Sequence, residues 1–117
     1  MPISRIPNYL ELTISAGSWL SDAFDLGQSV NLIVRLPSGS WTDADIGFQE
    51  SLTKAGEFLP LRDMDGGLVQ IAGVAVSGAY VAPTEVMGAR WVKLWSQNSG
   101  ISVAQAATRT LEVELKT

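Results

Sequence analysis

Thr108-Arg109-Thr110-Leu111-Glu112-Val113-Glu114-Leu115-Lys116 decides the fold class. Leu111, Val113 and Leu115 alternate with Thr110, Glu112, Glu114 and Lys116. A strand sends successive side chains to opposite faces, so this period of two gives one apolar face and one polar face. A helix would scatter the three apolar positions around its axis. The stretch therefore predicts a half-buried β-strand.

The same alternation recurs upstream. Tyr9 to Ser15 sets Leu10, Leu12 and Ile14 against Tyr9, Glu11 and Thr13. Trp19 to Phe24 reads as a second, short strand. Ser29 to Leu36 puts Val30, Leu32, Val34 and Leu36 on one face, while Ile33 on the other suggests that both faces are partly covered. Asp43 to Ser51 turns Ala44, Ile46 and Phe48 inward. Glu57 to Leu61 contains Pro60, which cannot donate to a ladder and places this segment at an edge. Leu68 to Val76 reads as a strand. Arg90 to Ser96 is a further one, with Trp91, Lys93 and Trp95 opposed to Val92 and Leu94.

Turn signals separate these runs. Met64-Asp65-Gly66-Gly67 is the best of them, because Gly tolerates positive φ and Asp bonds its own backbone. Pro37-Ser38-Gly39-Ser40 breaks one strand, and Ser77-Gly78 reads as a turn. Pro83-Thr84-Glu85 suits the start of one helical turn. About eight or nine short strands between turns describe an all-β, single-domain β-sandwich or barrel. Residues 1–8, with Pro2 and Pro7, read as an extended N-terminal arm, and residues 9–117 as the domain.

Composition narrows the chemistry. The 117 residues contain no Cys and no His. Disulfide scaffolds, thiolate metal sites, Ser–His triads and His-ligated metals are therefore excluded. Net charge is −4, which disfavours a basic nucleic-acid surface. No apolar run reaches bilayer length, and the N-terminus lacks a signal-peptide core, so neither a membrane partner nor export is expected. Only 17% of residues are charged, against about 25% in typical soluble domains. Either part of the surface is covered in an assembly, or hydroxyls replace charges on the polar faces.

Candidate sites are few. Asp63, Asp65 and Gly66-Gly67 resemble the start of a calcium loop but lack its later ligands, so a hairpin turn is the better reading. Asp22, Asp25, Asp43 and Asp45 form no fixed catalytic pair. Ser residues without a base partner, and Lys54, Lys93 and Lys116 outside any motif, give no activated nucleophile. No catalytic residue, cofactor or metal is expected. Among the aromatics, Trp41, Trp91 and Trp95 stand out. Trp91 and Trp95 are read as core, with Val92 and Leu94 packing a second layer, or as subunit interface; a sugar-stacking platform is the alternative. Arg90 and Arg109 are structural salt-bridge candidates, with Glu112, Glu114 or Asp residues as partners.

Several segments in order carry a family resemblance. They are Ser15 to Gly27, Leu36-Pro37, Trp41 to Gln49, Phe58 to Asp63, Ala89 to Ser96 and Gln105 to Leu111. Together they resemble small virion-associated structural proteins of tailed bacteriophages and gene-transfer particles, from about Leu10 to Lys116. The order is also distantly similar to discoidin-like jelly-roll modules, which are galactose-binding-like β-sandwiches. One departure is Thr108, where family members commonly carry an acid beside the equivalent of Arg109.

The resemblance implies an antiparallel jelly-roll β-sandwich and a virion structural role. It points to a capsid decoration (cement) protein on the head surface, made in the host cytoplasm. The expected partners are the major capsid protein, other virion subunits and copies of the chain itself, as a trimer. Ile3 and Ile6 of the arm, with Tyr9, Trp41, Trp91 and Trp95, are the interface candidates. The alternatives are a carbohydrate-binding adhesion module of a head or tail fibre, with a host glycan as ligand, and a tail or neck adaptor.

Overall fold

The computed structural model describes residues 8–36, 41–74 and 77–116. Ten strands are formed among them: β1 (Asn8–Ile14), β2 (Phe24–Asp25), β3 (Asn31–Leu36), β4 (Asp45–Ser51), β5 (Leu59–Pro60), β6 (Gln70–Ile71), β7 (Gly78–Val81), β8 (Trp91–Asn98), β9 (Ile101–Ser102) and β10 (Arg109–Lys116). One 3-10 turn, Thr84–Gly88, follows Pro83. Pro fits there because its fixed φ suits a helix start and its missing N–H would go unused.

The strands pair into two antiparallel sheets. The first runs β1-β10-β3-β7 and the second β2-β8-β4-β5, with β6 added to β4 and β9 added to β8. Setting β6 and β9 aside leaves eight strands, taken in chain order as one to eight. The first sheet is then one, eight, three, six, and the second is two, seven, four, five. This is the strand order of a jelly roll, in which the chain crosses between sheets at almost every connection.

The inward faces follow the alternation in the sequence. Leu12 and Ile14 from β1, Leu32, Val34 and Leu36 from β3, and Leu111, Val113 and Leu115 from β10 face Ile46 and Phe48 of β4 and Val92 and Leu94 of β8. Phe24, Leu26 and Val86 belong to the same buried cluster. Fully burying each such side chain contributes about 1.5–3 kcal/mol, which makes this interleaved layer the main source of stability. Edges of the second sheet, β2 and β5, are two residues long, and Pro60 blunts β5 further. Among the described residues, no helix is long and apolar enough to cross a membrane.

Four local expectations change. Trp19 to Phe24 is not one strand: Leu20 makes a single bridge to Trp95, and only Phe24–Asp25 forms β2. Ser21 explains the break, since its Oγ donates to Asp22 O and accepts from Leu94 N–H, a local bonding that competes with a regular ladder. From Leu68 to Val76 only Gln70–Ile71 is strand, and Ala75 and Val76 lie outside the described residues. Gly78 is the first residue of β7 rather than part of a turn. Asn8 belongs to β1, where it pairs with Leu115, so the sheet takes the last residue assigned to the arm. Residues 1–7, including Ile3 and Ile6, and the Pro37–Ser40 break lie outside the described residues.

Candidate functional site

The outer face of the first sheet is built from the polar positions of its strands. Tyr9, Glu114, Ile33 and Val81 form one cross-strand row, and Glu11, Glu112, Arg35 and Ala79 form the next. Tyr9 is 62% exposed and Val81 73%. Glu11 and Glu112 are direct cross-strand partners, an unfavourable placement for two like charges. Arg35 Nε lies 3.7 Å from Glu112 Oε1, a long and exposed contact worth little. Tyr9, Arg35, Glu112 and Glu114 line a cavity of about 210 Å³.

The outer face of the second sheet has a different character. Val92 and Leu94 are the core residues of β8, so Trp91 and Trp95 point outward, which reverses the expected layering. Trp95 is nevertheless only 4% exposed. Its Nε1–H donates to Ser102 Oγ of β9 at 3.0 Å, and its ring lies against Gly47 of β4. Beside it Gln97 Nε2 donates to Gln70 Oε1 at 2.6 Å, and Gln97 Oε1 accepts from Gly100 N–H at 2.7 Å. Trp95 is thus held under Ser102 of β9, and β6 lies beside it through the Gln70–Gln97 bond.

Trp91 is less covered. Lys54 Nζ sits 6.0 Å from its ring centroid, and Lys93 Nζ sits 4.6 Å from the centroid of Phe58. Ring quadrupoles attract such cations, by about 0.5–1 kcal/mol at exposed sites. Neither lysine forms an ion pair among the described residues. Arg90 does: its Nε and Nη2 donate to the two oxygens of Asp25 at 2.8 and 3.2 Å. This fork, helped by Gly27 N–H on Asp25 Oδ1, holds the Asp25 carboxyl below its ordinary value, and Asp25 in turn raises Arg90.

A polar junction links the sheets at one end. Gln105 is completely buried. Its Oε1 accepts from Thr42 N–H at 3.0 Å and Arg109 Nε at 3.1 Å, while its Nε2 donates to Ser96 Oγ at 2.8 Å and Thr42 O at 3.3 Å. Arg109 therefore meets an amide and, through Nη2, the Thr42 hydroxyl at 3.3 Å. Thr108, the departure from the family pattern, is used elsewhere: its Oγ1 accepts from Ala16 N–H at 3.2 Å. Trp41 is half-buried against the core and donates Nε1–H to Ala44 O at 3.0 Å.

The Asp-Gly stretch is a turn whose acidic side chain is occupied by its own backbone. Asp63 Oδ1 accepts from Asp65 N–H and Gly67 N–H, both at 2.9 Å.

Of the residues singled out from sequence, Tyr9 and Glu112 come together on the first face, while Trp91 opens β8 of the second sheet and Arg90 immediately precedes it. Trp41 and Arg109 join the Gln105 junction region, away from either face. Lys54, Phe58, Lys93, Arg35 and Glu114 complete the two faces and were not singled out as interface residues. The signal for Glu114 is present in the period-two run of β10, whereas Lys54 reaches the second face from a connection without a pattern, and Phe58 from the Glu57–Leu61 segment, of which only Leu59–Pro60 forms strand.

No family model matches the chain, and no curated protein matches it. Among solved structures it is similar to the crystal structure of the SPBc2 prophage-derived protein YomS. The TM-score is 0.54 and the identity 18%, over 100% of each chain. At that identity the likeness is one of fold.

Proposed function

We propose that this chain is a bacteriophage virion structural protein, and specifically a capsid decoration (cement) protein that coats and stabilises the head surface. The observation that carries this reading is the end-to-end fold likeness to a prophage-derived protein, with neither chain leaving a domain unmatched. The ordered resemblance to virion-associated proteins points the same way. So does the build of the domain, a small sandwich with two chemically distinct outer faces. The reading assigns no catalysis and no cofactor. It assigns the major capsid protein and further copies of the chain, as a trimer, as partners, and the capsid surface as location.

The experiment is a reconstitution. Purified chain is added to particles that lack it, and bound protein and particle stability are measured. Saturable binding to heads with a raised temperature of genome release supports the reading. Binding only to tails or fibres transfers the chain to the adaptor or adhesion alternatives.

A further inference from the structure

We infer that the outer face of the first sheet docks, head to tail, on the outer face of the second sheet of another copy of this chain. The contact stands on the two faces themselves and does not depend on where the chain sits in a particle.

The first face carries Glu11, Glu112 and Glu114 against two cations, Arg35, which lies 3.7 Å from Glu112, and Lys116 at the end of β10, so acids still outnumber bases there. Its carboxylates border a cavity of about 210 Å³ walled on one side by the exposed Tyr9 ring. The second sheet presents the reverse. Lys54 and Lys93 lie near Trp91 and Phe58 without ion-pair partners among the described residues. The acid beside Trp91, Asp25, is already neutralised by Arg90, which leaves Glu57 as the acid next to Phe58. Leu52, on the same connection as Lys54, is 85% exposed.

The two faces are therefore complementary in charge, and each offers apolar surface beside its charges. An ammonium group arriving at Glu112 would also relieve the opposition of Glu11 and Glu112 within β1 and β10. Pairing either face with its own copy sets carboxylates against carboxylates or lysines against lysines, which charge complementarity disfavours. The contact is thus heterologous. A head-to-tail contact of this kind is not limited to two copies, because each copy keeps one face free for the next.

The test uses the full chain and its absolute mass by light scattering, at ~50 mM and ~500 mM salt, because screening separates the two conditions. The wild type is expected to be larger than a monomer at low salt and to dissociate at high salt. A monomer at both, across the accessible concentration range, overturns the inference without any variant. Two charge-reversed proteins sharpen the result: Lys54→Glu with Lys93→Glu, and Glu112→Lys with Glu114→Lys. Each alone should be monomeric, with near-UV circular dichroism confirming its fold. Mixed one to one, they should associate again, because each supplies the face the other reversed. Folded variants that still self-associate, or a mixture that stays monomeric, overturn it. Presence of the chain in particles is measured separately, so failure of self-association is distinguishable from failure of the virion reading.

Discussion

Gly47 and Trp95 are direct cross-strand partners of β4 and β8, and a Cβ on Gly47 would stand 2.9 Å from Trp95 Cε3. It would also meet Gln97 Cγ at 3.2 Å. The glycine is thus the floor on which the buried indole rests. Gly47→Ala should destabilise the fold by roughly 1–3 kcal/mol, the usual cost of overpacking. Gly88→Ala is the control: nothing lies within 4 Å of its Cβ position, and a change within ~0.5 kcal/mol is expected. Urea unfolding of the two variants measures the difference.

Gln105 holds the junction between the Trp41–Ala44 loop, β8 and β10 from a fully buried position. Gln105→Leu keeps similar bulk but removes the acceptor for Thr42 N–H and Arg109 Nε, while the Ser96 hydroxyl keeps its bond to Val103 O. Each buried polar group left unsatisfied costs roughly 1–3 kcal/mol. A loss of roughly 2–5 kcal/mol is expected on that basis. Hydrogen exchange should show the opening concentrated at residues 41–44 and 103–109.

Asp25 and Arg90 set a pH dependence whose sign follows from the fork between them. The folded Asp25 titrates below its ordinary value of 3.8, chiefly because Arg90 donates to it. The unfolded chain therefore binds that proton more readily. The pair's contribution is complete above the ordinary value and is lost as pH falls through the lowered one. Both groups are exposed, so the effect is small. Urea midpoints of wild type and Arg90→Ala should differ at neutral pH, begin to approach as pH falls below 3.8, and converge below the lowered folded value. A constant offset down to the most acidic condition would show that Arg90 acts through packing.

Gly66 sits at φ +82, in the left-handed region, at the tip of the turn whose backbone Asp63 accepts from. Gly66→Ala has room for its Cβ but not the conformation, at a cost of roughly 1–2 kcal/mol. Asp63→Ala should weaken the same turn by removing the acceptor for Asp65 N–H and Gly67 N–H. Thermal melts of the two single variants and the double variant should show less than additive losses, since they act on one turn.

The elements legible in the sequence are those whose energetics are local to one strand. In β10, β3 and β4 the inward positions are the apolar ones of the period-two pattern, and the structure buries Leu111, Val113, Leu32, Val34, Ile46 and Phe48 accordingly. The orientation of β8 was not legible in the same way, because both of its faces are apolar. Val92 and Leu94 occupy the core, and the larger Trp95 is buried outside it over Gly47, with its Nε1 on Ser102 of β9. That burial depends on residues of other strands. The candidate faces show the same division. Tyr9, Glu112 and Trp91 were visible as unusual residues on strands, whereas Lys54 and Phe58 gain their places from how the connection between β4 and β5 folds back. Gln105 carried no pattern, and its value lies in partners at positions 42, 96 and 109.

The proposed role places this chain in a phage head as a structural component. Quantitative mass spectrometry of purified, genome-filled particles, together with a reconstruction of the head, tests it most directly. The chain is expected in fixed proportion to the major capsid protein, with its sandwich on the outer surface of the shell. Particles that are complete and infectious without the chain in any stoichiometric amount would contradict it.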